Sequence, residues 1–112
     1  MIVSIVLLDE FKRNFKRLAK KYPSLKEDFK TFKNDLAINP LQGIDLGHNV
    51  RKVRMSIASK GKGKSGGSRI LTYNATITET GDVKITLLTI YDKGEISNVT
   101  DAYIKWLVSL MK

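Results

Sequence analysis

A cluster of basic side chains without acidic neighbours is the feature of this sequence best suited to chemistry. Seven basic residues and no acid lie in the segment 51–69: Arg51, Lys52, Arg54, Lys60, Lys62, Lys64 and Arg69. Four glycines lie among them. Because like charges repel, such a segment costs folding free energy unless a polyanion normally accompanies it. The cluster predicts a site for nucleic-acid phosphates.

The net charge of +9 is concentrated in this segment. Residues 1–50 carry nine Lys/Arg and six Asp/Glu, and residues 70–112 carry four and five. A local excess favours a defined binding site over a generally basic, solubilising surface.

Lysine and arginine together can supply much of what is needed to cut RNA without a metal ion. The 2′-OH must lose its proton and attack the adjacent phosphate, while cations stabilise the extra charge and an acid protonates the departing 5′-oxygen. A lysine crowded by cations can serve as the base, and arginine clamps phosphate with two hydrogen bonds. The sequence has no carboxylate cluster for a two-metal nuclease, so we expect neither a metal nor another cofactor.

Hydrophobic periodicity predicts the elements that position these residues. A single α+β domain over 1–112 is expected, with the order β-α-α-β-β-β-α: a small, mainly antiparallel sheet of about four strands, two N-terminal helices and a C-terminal helix. Predicted strands cover 2–8, 50–58, 68–78 and 83–91, and residues 41–49 are expected to form an irregular loop. Asp9 and Ser24 are the expected caps of the two N-terminal helices, and Asn39-Pro40 ends the second.

Strand alternation places part of the cluster on one face. In the strand 50–58, Val50, Lys52 and Arg54 share a face, while Arg51 and Val53 lie on the other. Arg69 opens the next strand and can point to the side of Lys52. These cations should therefore converge.

Other candidate motifs are weaker. The string ASKGKGKS at 58–65 fits a relaxed phosphate-loop pattern, but a strand-like segment follows where a helix is required, so we reject it. His48 has no acid close in sequence and is expected to be incidental. Tyr91 can donate a proton, stack on a base or cap the edge of the core, and Trp106 is expected in the core.

The composition also bears on location. The sequence has no cysteine, which suits a reducing compartment. The apolar run Ile2–Leu8 is too short to cross a bilayer and lacks the basic start of a signal peptide. We expect a cytoplasmic protein without a membrane partner.

Two segments resemble a known family. RKVRMSIASKGKGKSGGSRILTY and LLTIYDKGEIS at 87–97 are similar to the RelE superfamily of type II toxin–antitoxin toxins, closest to its HigB-type members. The resemblance covers about residues 48–98. It implies a RelE/ParE-like fold and a toxin that enters the ribosomal A site, cuts mRNA and so inhibits translation. It also implies a cognate helix-turn-helix antitoxin (HigA-like) that neutralises the toxin and binds operator DNA with it.

The resemblance also assigns residues. The RelE base falls on Lys52, a second strand cation on Arg54 and the phosphate-stabilising arginine on Arg69. Gly94 stands where RelE has another arginine, with Lys93 beside it, and Thr100 stands where RelE has its tyrosine. Tyr91 or a loop lysine can take the acid role. The catalytic set is then Lys52, Arg54, Arg69 and Tyr91, and the RNA-binding set is Arg51, Lys60, Lys62, Lys64 and Lys93.

Two other functions remain open. A ParE-like toxin would inhibit DNA gyrase by protein contact, for which a dense cation cluster is not needed. A simple RNA-binding module would bind without cutting, but the cluster has few aromatic residues for stacking on single strands.

Overall fold

The computed structural model describes residues 2–61 and 66–111, and for residues 74–76 it describes the backbone alone. Within these residues the chain forms three helices, five strands and one short 3₁₀ turn, which confirms the α+β class. The elements are β1 Val3–Leu7, α1 Asp9–Lys21, α2 Leu25–Ile38, β2 Ile44–Gly47, β3 Val50–Met55, the turn Ala58–Lys60, β4 Ser68–Ile77, β5 Val83–Asp92 and α3 Asp101–Ser109.

The strands form one mixed sheet in the order β1-β5-β4-β3-β2. β1 pairs in parallel with β5, and the other three pairings are antiparallel. The parallel pair requires a long crossover between its strands, which here contains every other element of the sheet and the first two helices. The β3–β4–β5 meander therefore lies at the centre, and it carries the candidate site.

The predicted strand number and order are wrong, because the segment expected to be an irregular loop contains β2. Ile44 pairs with Lys52, and Asp45 pairs with Arg51. The observed order is β-α-α-β-β-β-β-α. Two consecutive residues with positive φ, His48 at 55° and Asn49 at 63°, form the tight turn from β2 into β3. This backbone conformation is uncommon outside glycine and is tolerated best by Asn, Asp and His.

The apolar side chains form two clusters on opposite faces of the sheet. One face packs against α1 and α2, and it includes Val53 and Ile70. The other packs against α3, and it includes Val50 and Leu71. The separation of Val50 from Val53 confirms the alternation predicted for β3.

The helix bounds are close to those predicted and Ser24 holds the predicted position before α2, but neither predicted side chain makes a capping hydrogen bond. α1 begins after Leu8, with Asp9 already inside the helix, and no side chain caps it. Ser24 precedes α2 without capping it. Its hydroxyl instead donates to Asp28 Oδ2 at 2.7 Å and lies 2.8 Å from Ser59 Oγ. The contact with Ser59 connects the start of α2 to the 3₁₀ turn. The Ser24 hydroxyl makes these two contacts instead of a capping hydrogen bond.

The predicted core position of Trp106 is also wrong. α3 buries Ile104 and Leu107, whereas the side chain of Trp106 is 44% exposed. Its ring stacks on Tyr103, with centroids 5.7 Å apart. α3 has apolar residues on two adjoining stripes, and its sequence alone does not specify which stripe is buried. The helix docks on the stripe next to the expected one.

Among the described residues, no helix is long and apolar enough to cross a membrane.

Candidate nucleic-acid interface

Three residues of the predicted catalytic set lie in one row across the sheet. Arg54 on β3 is directly opposite Arg69 on β4, and Arg69 is directly opposite Tyr91 on β5. Directly opposite residues in antiparallel strands share a face, with Cβ atoms about 5 Å apart. Lys52 precedes Arg54 by two residues and therefore lies on the same face. The structure thus brings the four residues together on the face that also carries α3.

A cavity of about 370 Å³ lies over part of this row. It is lined by Gln42, Gly43, Ile44, Lys52, Val53, Arg54, Arg69 and Lys93. Half of these residues are cations, and no carboxylate is among them; we name it the cation cavity. The cations come from β3, β4 and the loop after β5, so the cavity exists only in the folded chain. Such an arrangement attracts a polyanion.

Lys93 is held in the cavity wall by its own loop. Its Nζ donates to the carbonyl oxygen of Ser97 at 3.0 Å, and its backbone N–H donates to the carbonyl of Gly67 at 3.1 Å. The two bonds fix the start of the β5–α3 loop against the beginning of β4. Lys93, which the sequence predicted to bind RNA, therefore lines the same cavity as Arg69.

Arg69 is the most buried cation of the cavity, with 5% of its surface exposed. Its Nη1 donates to the carbonyl oxygen of Ser68 at 3.2 Å. Burial, and second the charge of Arg54, lower the pKa of Arg69 below its ordinary value. A guanidinium remains protonated at neutral pH despite such a shift. Since water solvates it poorly here, an entering phosphate gains more from it than from an exposed arginine.

Tyr91 is almost fully buried, and its hydroxyl has no hydrogen-bond partner among the described residues. Burial raises the pKa of Tyr91, and Arg69 opposes this rise. The phenol is therefore protonated at neutral pH, which is the form that a general acid requires. Tyr91 does not line the cation cavity; it lines the next one.

The second cavity, of about 340 Å³, lies between β5, α1 and α3. It is lined by Glu10, Asn14, Arg17, Thr89, Ile90, Tyr91, Ile96, Asn98, Val99, Thr100 and Tyr103. A hydrogen-bond network crosses it: Tyr103 donates to Glu10 Oε2 at 2.7 Å, Asn14 donates to Thr89 Oγ1 at 2.9 Å, and the hydroxyls of Thr89 and Tyr103 lie 3.1 Å apart. These polar residues were not among the site residues predicted from the sequence. The spacing of Glu10 and Asn14, one helical turn apart, was the only available signal.

The predicted RNA-binding residues are divided by the structure. Arg51 lies on the opposite face from Lys52, and its Nη1 donates to the carbonyl of Gly43 at 3.4 Å. Lys60 is also directed away from the cation cavity, since its Nζ donates to Asp92 Oδ1 at 2.6 Å. Lys62 and Lys64 lie outside the described residues.

Asp92 is a buried carboxylate that joins three parts of the chain. It accepts hydrogen bonds from Lys60, from the hydroxyl of Tyr22 at the end of α1 and from the N–H of Gly94. Burial alone would raise the pKa of Asp92, but the bonds from Lys60, Tyr22 and Gly94 together lower it to about 2. Because Asp92 directly precedes Lys93, these bonds also brace one wall of the cation cavity.

The remaining sequence motifs do not contribute to the cation cavity. The start of the phosphate-loop pattern forms the 3₁₀ turn Ala58–Lys60, and β4 begins at Ser68 where a phosphate loop requires a helix. His48 has an acidic partner distant in sequence, with its Nε2 3.0 Å from Asp101 Oδ1. This pair joins the β2–β3 turn to the start of α3.

Among the described residues, no three His, Cys, Asp or Glu side chains are grouped to hold a metal ion. A scan against models of known protein families finds none that matches this chain.

Proposed function

We propose that this protein is the toxin of a type II toxin–antitoxin system and acts as a ribosome-dependent, metal-independent mRNA endonuclease. The observation that supports this most is the cation cavity, in which Lys52, Arg54, Arg69 and Lys93 converge without a carboxylate. The resemblance of residues 48–98 to HigB-type RelE toxins supports the same function. Its cytoplasmic partners would be mRNA on the ribosome and a helix-turn-helix antitoxin.

The proposed reaction uses Lys52 and the three residues of the row. Lys52 takes the proton of the 2′-OH, and the 2′-oxygen attacks the adjacent phosphorus. Arg69 and Arg54 stabilise the charge that develops on the non-bridging oxygens. The bond from phosphorus to the 5′-oxygen then breaks, and that oxygen takes a proton from Tyr91. The products are a 2′,3′-cyclic phosphate and a free 5′-hydroxyl.

A simple RNA-binding module is the second candidate, because Tyr91 lines the neighbouring cavity instead of the cation cavity. If no acid reaches the departing oxygen, the cations bind phosphate without cutting. No observation favours a ParE-like action on gyrase in the same way, since inhibition by protein contact does not require a buried cation such as Arg69.

The test is to express the protein without a partner and to map mRNA 5′ ends. Paired reporter transcripts, with and without a start codon, separate translated from untranslated RNA. We expect growth arrest and new ends inside the reading frame of the translated transcript alone. Arg69→Ala should abolish the new ends, and the matched exposed variant Lys30→Ala should retain them. Equal cutting of both transcripts contradicts ribosome dependence, and growth arrest with a DNA-supercoiling defect but no new ends indicates gyrase.

A further inference from the structure

The cation cavity and the second cavity are neighbours, with Tyr91 between them. Tyr91 lines the second cavity and lies directly opposite Arg69, which lines the cation cavity. The two side chains start about 5 Å apart on the same face. A phosphate bound by Arg69 therefore has its own nucleoside within reach of the second cavity.

The second cavity has a different charge character from the cation cavity. Its carboxylate, Glu10, accepts hydrogen bonds from Tyr103 and Arg13. Its cation, Arg17, is paired with Glu95 at 3.2 Å. Among the described residues the cavity thus has no excess positive charge that would attract a second phosphate. It suits an uncharged polar group instead.

Two side-chain amides in its wall have hydrogen-bonding capacity left over. Asn98 is exposed to solvent, and its amide makes no hydrogen bond to the residues that the structure describes. Asn14 uses one amide hydrogen on Thr89, so its carbonyl oxygen can still accept. Tyr103 adds an aromatic ring to the same wall. Amides that bind base edges and rings that stack on them are the usual means of recognising unpaired RNA bases. The volume of about 340 Å³ lies in the range of small-molecule sites.

We propose that the second cavity binds the base of the nucleotide next to the bound phosphate and selects that base through Asn14 and Asn98. This inference rests on the proposed function, because it requires an RNA phosphate in the cation cavity. The two cavities then divide the work: the cations determine phosphate affinity, and the amides determine which base is preferred.

The test is an NMR titration of the ¹⁵N-labelled protein with two kinds of probe. One is a dinucleoside monophosphate, made with each of the four bases, whose attacking 2′-OH is replaced by hydrogen so that it cannot be cut. The other is the same molecule with that base removed. We expect both kinds to shift the backbone amides around Arg69. Only the base-containing probes should shift the side-chain amide of Asn98, and one base should do so most strongly.

Each other outcome contradicts a specific step. If the signals around Arg69 shift but the Asn98 amide responds equally to both kinds of probe, or to neither, the base site is wrong and the proposed function stands. If no probe shifts the signals around Arg69, the phosphate site fails, and the base site fails with it.

The variant Asn98→Ala provides the second measurement. The ratio of dissociation constants between the best and the worst base should fall about fivefold, the usual value of one hydrogen bond. The dissociation constant of the probe without a base should not change. The matched control is Asn34→Ala, an exposed asparagine of α2, which should keep the full ratio. An unchanged ratio in Asn98→Ala overturns the inference.

Discussion

At the scale of single residues, the proposed reaction depends most on two arginines that lie opposite each other on neighbouring strands. Arg69 is 5% exposed and has a second arginine, Arg54, directly opposite. In the proposed reaction Arg69 and Arg54 face a phosphate whose charge increases in the transition state. Arg69 should therefore contribute more to the rate of cleavage than to the binding of RNA.

Replacing Arg69 tests this directly. Arg69→Ala should lower the single-turnover rate of cleavage about 10²–10³-fold, the range for one preorganised donor to a developing charge. The control is Arg51→Ala, because Arg51 lies on the opposite face of the sheet and contacts Gly43. A folded Arg69→Ala protein that cuts at the wild-type rate, or an equal loss in Arg51→Ala, would refute the assignment of Arg69.

Removing the hydroxyl of Tyr91 should change both the stability of the protein and the rate of cleavage. It is buried without a hydrogen-bond partner among the described residues, which costs about 1–3 kcal/mol for such a group. Tyr91→Phe should therefore unfold at equal or higher denaturant concentration than the wild type. If Tyr91 is the acid, the same variant should cut about 10²–10⁴-fold more slowly. A gain in stability with unchanged cleavage would make Tyr91 a core residue, and the acid would be sought elsewhere.

How much of the site could be predicted depended on sequence distance. Lys52, Arg54 and Arg69 lie on adjacent strands, so strand alternation was enough to place them on one face. The second cavity joins Glu10 of α1 to Tyr103 of α3, residues 93 positions apart. Local periodicity contains no information on how two such helices pack, and this cavity was missed for that reason.

At the scale of elements, Asp92 holds the parts that surround the cation cavity. It ends β5 and accepts hydrogen bonds from Lys60 of the 3₁₀ turn, from Tyr22 at the end of α1 and from Gly94 of the next loop. Lys60 thus acts as a structural cation in this fold. Lys60 was predicted to contact phosphate because it lies next to the glycine-rich segment in the sequence. The buried acid that pairs with it lies 32 residues away, so the sequence around Lys60 gave no sign of this pair.

Elements were predicted where their own residues specify them. The stripes of α1 and α2 and the apolar run of β5 each contain enough hydrophobic residues to fix the element. β2 is four residues long and has alternation too weak to detect. It becomes a strand because β3 supplies its hydrogen bonds, so no local pattern could have revealed it.

The charge of Asp92 should be visible in the pH dependence of stability. Its pKa is about 2 in the folded chain, against an ordinary value of 3.8. The folded state thus binds the proton less tightly than the unfolded state. The resulting stabilisation, about 2 kcal/mol, is fully present above pH 3.8 and is lost as the pH falls toward 2. The measurement is the free energy of unfolding in urea across this range.

Two variants complete this experiment. Asp92→Asn should lower the free energy of unfolding at pH 7, because the buried pair with Lys60 is broken, and it should flatten the slope between pH 4 and 2. Asp9→Asn, at an exposed position of α1, should leave the slope nearly unchanged. An unaltered slope in Asp92→Asn would show that another carboxylate dominates acid unfolding.

At the scale of the whole molecule, two apolar clusters stabilise a fold that brings four cations together in the cation cavity. Neither cluster includes Lys52, Arg54, Arg69 or Lys93, so these cations can be changed without removing a side chain of the apolar core. The overall charge of +9 then governs how the protein meets RNA. Binding should weaken steeply with salt, since each phosphate contact releases counterions.

The loop lysines give the last prediction. Lys60 is 15% exposed in its side chain and paired with Asp92, whereas Lys62 and Lys64 are expected from the sequence to contact phosphate. Replacing Lys62 and Lys64 together by Gln should reduce the slope of log affinity against log salt by about 0.7 per lost contact with single-stranded RNA. Lys60→Gln should leave that slope unchanged and instead lower the denaturation midpoint, because Asp92 loses its nearest cation. Fluorescence titrations of a short RNA at several salt concentrations, with denaturation curves of the same proteins, measure both effects. If Lys60→Gln reduces the slope as much as one loop lysine does, then Lys60 leaves Asp92 to bind RNA, and RNA binding would release the contact that braces the cation cavity.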